Sequence, residues 1–220
     1  MNILTNIINL LSDDSKPLTS SFLQIKVLAS RLQNTQLLEW VNKELSGYNK
    51  GDSIPEYRIC TSLLMGNYLN GNTECKNHPF ALLGLDAKIK DILEHVDFFN
   101  GIGALESFVL KNENLQIAVP TEVLELINDL YRQKGNPYFS AYSVYKSVTI
   151  DQIKQITTNI RNTALDLILS LENEFGYEIE LNELIKKRDE ANSIIQNIIN
   201  NSGNNNIINI GNNNNQKGNL

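Results

Sequence analysis

The chain has 220 residues, of which 41 % are hydrophobic and 20 % charged, enough apolar material for one domain with an appendage or two small domains. Its net charge of −6 argues against a general nucleic-acid coat, which needs a basic surface to neutralise phosphates. No apolar run approaches the roughly 18 residues that span a bilayer, so no membrane partner is expected.

The opening "MNILTNIINLL" lacks a basic n-region and a small-residue cleavage site, so it does not read as a signal peptide and the expected compartment is the cytoplasm. Ile3, Ile7, Ile8 and Leu11 form a short apolar stripe. Leu18, Phe22, Ile25, Ala29 and Leu32 recur at steps of three and four, which predicts a helix with one buried face. Asn34 stands as the N-cap of a third helix with the stripe Leu37, Leu38, Val41 and Leu45, and Gly47 stands where that helix should stop. The short link between the second and third helices predicts a helical hairpin. Trp40, the single tryptophan, lies at helical spacing and is expected to be largely buried there.

Residues 54–80 change character, with Pro55, scattered glycines and short apolar runs that predict one or two strands. "LDAKIKDILEHV" and "GIGALESFVL" read as short helices, "PTEVLELINDLYRQKG" as a longer one running from Pro120 to Gly135, and "YFSAYSVYKSV" as a strand. Thr149 and Gln152 have capping-box spacing before a long helix whose stripe is Ile153, Ile156, Ile160, Ala164, Leu167 and Leu171, with Gly176 at its end. Arg161 interrupts that apolar helix and needs a carboxylate or carbonyl partner wherever it is buried. Leu181, Leu184, Arg188, Ala191, Ile195 and Ile198 then continue as a heptad seam, read as an oligomerisation helix over 179–200.

Twelve of the last 24 residues are Asn. Within them "NIIN" occurs at 197–200 and again at 206–209, each copy followed by a glycine. Ile favours strands, and Asn and Gly tolerate tight turns, so 201–220 reads either as an unfolded Asn-rich tail or as very short strands. Two such strands cannot bury Ile207, Ile208 and Ile210 alone, whereas several copies sharing one isoleucine core could. Isoleucines at both seam positions favour more than two chains, so a homo-oligomer, a trimer, is expected.

The fold class read from these elements is mainly α with a small β component, an α+β domain over 1–178 followed by the seam helix and tail. Cys60 and Cys75 fit reduced thiols. Cys75 and His78 have half of a metal-ligand spacing, but a closed zinc site needs four ligands, so no metal and no cofactor are expected. His95, beside Glu94 and Asp97, is the one candidate acid/base group, since imidazole titrates near neutrality. No GxSxG, P-loop, HExxH or dinucleotide fingerprint is present, and no catalytic residue can be named.

The stretch "PLTSSFLQIKVLASRLQNTQLLEWVNKELSGY" followed by "IPEYRI" resembles the opening of the AbiTii domain of bacterial abortive-infection proteins. Leu18, Leu28, Ala29, Arg31, Leu32, Trp40, Val41, Glu44, Leu45, Gly47, Tyr48, Pro55, Tyr57 and Arg58 carry the match. "GIGALESFV" and "IRNTALDLILSLE", with Arg161, resemble two later segments of the family. The resemblance implies a role in defence against bacteriophage and no particular reaction. A buried polar cluster tying helix to strand is a sufficient reason for the polar matched residues Glu44, Tyr57 and Arg58, and at least one of Arg58 and Arg161 is expected to pair with a carboxylate, with Glu44 a candidate for Arg58. Two functions follow from the whole reading. The first is an oligomeric sensor, scaffold or toxin that binds a phage or host protein. The alternative is a metal-dependent nuclease or nucleotide hydrolase whose site gathers dispersed carboxylates, His95 and Arg58.

Overall fold

The structure, a computed structural model, describes residues 2–202, with side chains described as far as Ile199. Asn2 opens α1 (Ile3–Leu11) by accepting the Leu4 amide on its side chain, and a loop leads to α2 (Leu18–Arg31). The α2–α3 turn is as short as expected. Asn34 caps α3 (Thr35–Ser46) through the Leu37 amide at 2.7 Å, and the two helices pack against each other. A 3-10 turn (Glu56–Arg58) leads into β1 (Ile59–Thr61), β2 (Leu63–Asn70) and β3 (Thr73–Pro79), three strands where one or two were expected. Then come α4 (Ala87–Glu94), β4 (His95–Asp97), α5 (Ile102–Lys111), β5 (Leu115–Ala118), α6 (Thr121–Gln133), β6 (Phe139–Val148) and α7 (Ile150–Phe175). The fold is therefore mainly α with an α+β mix, as expected.

Two antiparallel sheets form among the described residues. β1 pairs with β4, and the larger sheet has the order β3-β2-β6-β5. β2 and β6 are far apart in sequence yet pair from Leu63↔Ser147 to Asn70↔Phe139, with a register shift between Asn67 and Tyr68. One face of that sheet is covered by α4 and α6 around Leu64, Phe80, Leu93, Ile127, Phe139 and Ala141, with Tyr131 stacked on Phe139 at 3.9 Å. The main core is helical. Phe22, Ile25 and Leu28 of α2, Leu37 and Val41 of α3, and Ile153, Ile160 and Leu167 of α7 share it. The striped faces are buried because each helix presents one apolar side, and removing that surface from water is the dominant favourable term.

Two local expectations are corrected. Thr149 makes no side-chain cap at the start of α7, and the Gln152 side chain donates to the Thr61 hydroxyl at 2.8 Å rather than closing a capping box. The seam beyond Gly176 is not one helix but two, α8 (Leu181–Lys186) and α9 (Arg188–Ser202), joined at Lys187. Leu184, Ala191, Ile195 and Ile198 are buried in the main core, against α7 and α3 of the same chain, and Leu181 packs at its edge. The apolar face read as an inter-chain seam is covered within the chain, so it carries no argument for association or for three copies. Asn34 holds α9 in place by donating to the Asn192 side chain at 2.9 Å. Ile207, Ile208 and Ile210 lie outside the described residues.

Candidate functional site: a buried ion pair under an aromatic pocket

The polar residues singled out in the sequence converge at the C-terminal end of α3. Trp40, Glu44 and Tyr48 follow one another at four-residue steps, so the first two share a helix face. Gly47 ends the helix at φ +94°, and the Tyr48 amide then donates to the Phe99 carbonyl at 2.8 Å. A side chain at position 47 would place its Cβ 2.5 Å from that same carbonyl oxygen. Only glycine lets α3 finish against the 98–101 loop. Gly101 meets the Leu45 carbonyl in the same way, so the "ELSGY" and "GIG" segments touch backbone to backbone.

Glu44 and Arg58 are both fully buried and paired. Arg58 Nη2 donates to Glu44 Oε2 and its Nε to Oε1 at 3.3 Å, while Nη1 donates to the carbonyls of Phe98 at 2.9 Å and Asn100 at 2.8 Å. The hydroxyls of Tyr48 and Tyr57 each donate to Glu44 Oε1 at 2.8 Å, and Trp40 Nε1 donates to the Tyr57 hydroxyl at 3.3 Å. The guanidinium carbon also lies 4.7 Å from the centre of the Tyr48 ring. Burial opposes the charge on Arg58, but the Glu44 hydrogen bonds and attraction outweigh it and hold the guanidinium above its ordinary value. Burial, and then the Glu44 charge, push both phenols well above the ordinary tyrosine range. A buried charge pair that is also hydrogen-bonded on its remaining sites fixes geometry, because removing either member leaves the other uncompensated. Here the pair ties α3, the 3-10 turn and the 98–101 loop together.

Above this node lies a pocket of about 290 Å³. Trp40, Tyr57, Ile54 and Pro55 give it apolar walls, Ser53 and Thr163 place hydroxyls on it, and Ile199 of α9 closes one side. Trp40 is packed against the main core: its inner face meets Phe22 with ring centres 5.3 Å apart, and its outer face is a pocket wall. Lys43 and Glu39 on the rim pair at 2.8 Å. Ser53, Thr163 and Ile199 are among the members that sequence reading missed; they come from a loop, α7 and α9, and no local pattern links them.

The other expected residues have separate roles. Arg161 caps the end of α1, donating to the carbonyls of Leu11 at 3.0 Å and Lys16 at 3.0 Å, with the Asp14 carboxylate 3.6 Å away. Glu106 of "GIGALE" accepts from the Leu18 amide and the Thr19 hydroxyl and so caps α2, which the sequence reading did not foresee. His95 is half-exposed on β4, with Nδ1 3.1 Å from the Asp91 carboxylate. Arg58 is closed off from solvent by its partners, so it does not join His95 in a site that substrate could reach. Cys75 and His78 lie on β3, and Cys60 is buried in β1, where burial pushes its thiol up to about 11. Among the described residues no three His, Cys, Asp or Glu side chains form a metal-holding group, and no helix is long and apolar enough to cross a membrane.

The fold and site define a mainly helical α+β domain organised on a buried Glu–Arg pair beneath an aromatic pocket. The AbiTii family model matches residues 2–197, and the chain belongs to that family. The match runs through α8 and most of α9. Membership suggests a role in abortive infection, that is, in defence against bacteriophage. No curated protein and no solved structure matches the chain.

Proposed function

We propose that this protein serves anti-phage defence by binding, as a sensor that takes a phage or host protein at the Trp40–Tyr57 pocket and works as a homo-oligomer joined through its tail. One observation carries the reading. Four of the matched motif residues, Trp40, Tyr48, Pro55 and Tyr57, line a single pocket, and the buried Glu44–Arg58 pair holds the two tyrosines in place. A rigid, largely preformed concavity with apolar walls and a few polar groups is what a recognition site requires. Assembly rests on the tail sequence alone: Ile207, Ile208 and Ile210 stand among asparagines, and several copies sharing them would bury what one cannot. Linked copies raise the avidity of a weak site without new contacts, which suits a protein that must respond to a scarce signal.

A phage-challenge assay tests the reading. Cells carrying Thr163→Arg or Ser53→Arg, which obstruct the pocket from its rim and leave the ion pair intact, are compared with wild type and with a chain ending at Ser202. Loss of protection by soluble, folded rim variants is the expected result, and full protection by both would overturn the pocket. Light scattering on the two chain lengths over a range of protein concentrations tests assembly, with a larger species at high concentration expected only for the full chain. Incubation with Mg²⁺ or Mn²⁺ and a panel of nucleic acids and nucleotides addresses chemistry; turnover abolished by a His95 change would replace binding with catalysis.

A further inference from the structure

The pocket has a neighbour that its wall already resembles. Ile199 lines it and Ile198 is buried behind, and both belong to the first "NIIN", residues 197–200. The same tetrapeptide returns at 206–209, nine residues on. We propose that an isoleucine of this second copy, Ile207 or Ile208 of the same chain, occupies the Trp40–Tyr57 pocket in the resting protein and is displaced by the ligand that the pocket senses.

Reach permits it. From Ile199 to Ser202 the helix advances about 1.5 Å per residue. The five residues from Gly203 to Ile207 can extend by about 3.3–3.6 Å each, enough to double back over one turn of helix. The sequence has a glycine, Gly203, at the start of this stretch, and glycine accepts the backbone conformations a tight reversal would demand.

Charge selects the same occupant. The charged residues on the pocket, Lys43 and Glu39, pair with each other at 2.8 Å, so the rim offers no uncompensated charge to a phosphate or an acidic peptide. Residues 203–216 contain no charged side chain at all. The walls of Trp40, Ile54, Pro55 and Tyr57 suit an aliphatic side chain, and the hydroxyls of Ser53 and Thr163 suit the carboxamides that flank it. A weak contact suffices, because a short tether holds its own segment at an effective concentration on the order of millimolar.

The inference rests on the pocket and tail reading above and joins its two halves. While Ile207 or Ile208 sits in the pocket, it is withheld from neighbouring copies. A neutral, aliphatic segment of a phage or host protein that competes for the pocket releases the tail for assembly.

Trp40, the single tryptophan and a pocket wall, reports occupancy directly in the full chain. Its emission and its quenching by acrylamide are measured at protein concentrations where light scattering shows one chain, for wild type and for the double variant Ile207→Asn, Ile208→Asn. The expected result is a red shift and a higher quenching constant in the variant, reversed by adding a synthetic peptide of residues 204–212. Identical emission and quenching in the two proteins would overturn the proposal, and so would peptide addition without effect. Protection that appears only when copies associate would also overturn it, in favour of occupation by a second chain. A Trp40 unprotected in the one-chain species, with assembly of the full chain at higher concentration, would sink this inference and leave the proposed function standing. Protection in the one-chain species, with no assembly at high concentration or with the peptide present, would do the reverse.

Discussion

At the scale of single residues, Glu44 and Arg58 decide the most. Replacing Arg58 by Met leaves a buried carboxylate facing two phenols, and the loss should be about 3–5 kcal/mol, as for other broken buried pairs. Combining it with Glu44→Gln should cost less than the sum of the single changes, since the second substitution removes the stranded charge. Urea melts of the two single variants and the double variant measure this coupling; strict additivity would mean that the two side chains do not act as a pair. Trp40→Ala should cost about 3 kcal/mol, the low end of the range for large aromatic truncations, because only the face toward Phe22 is core. Glu44, Tyr57 and Arg58 were legible as a cluster because a family motif joined them and because buried polar groups need partners. The Trp40–Tyr57 hydrogen bond was not, since nothing in the spacing shows which rings meet.

At the scale of elements, the end of α3 and the whole of α9 carry opposite lessons. The α3 terminus was readable: Asn34 and Gly47 bracket the helix by local chemistry alone, and both cap it as their residue types dictate. Gly47→Ala should cost more than the about 1–3 kcal/mol of backbone strain at positive φ, because the new Cβ would also meet the Phe99 carbonyl. Gly51→Ala is the control, with positive φ but open space around it, and thermal melts of the two should differ accordingly. For α9, the seam was readable but its covering was not. Ile195→Ala should cost about 2–5 kcal/mol. Because Ile195 packs against the same chain, the loss should be independent of protein concentration in denaturant titrations. A midpoint shift that grew on dilution would instead place the seam between chains.

For the whole molecule, the buried ionisable groups set the alkaline limit. Cys60 has an ordinary value of 9.0 and burial raises it to about 11, and Tyr48 and Tyr57 are raised from 10.0 by burial and by Glu44. Each group keeps its proton in the folded protein at a pH where the unfolded chain has lost it. The unfolded chain then binds fewer protons, so stability falls as pH rises. Stability should therefore hold up to about pH 9 and decline above it. The Cys60 contribution would be lost between about pH 9 and 11, and that of the two phenols from about pH 10 upward. Urea titrations from pH 7 to 11 test the slope, and Tyr57→Phe and Cys60→Ser should each flatten it. Arg58 has the same sign, but its raised value keeps the guanidinium charged across this whole window, so its contribution does not change there.

By itself the sequence determined what is local and periodic. The stripes of α1, α2, α3, α6 and α7 follow from three- and four-residue steps, several helix ends follow from Asn and Gly, and the motif order in 18–58 marked the family that residues 2–197 match. Periodicity states which face of an element is apolar, but it does not state what covers that face. Only the tertiary structure decided that α8 and α9 close the core of their own chain. The same holds for the pairing of Leu63–Asn70 with Phe139–Val148 across most of the domain, because strand pairing is a contact between distant segments that neither encodes alone. It holds for the pocket too: Ser53, Trp40, Thr163 and Ile199 become neighbours only when three helices and a loop are packed around one buried charge pair.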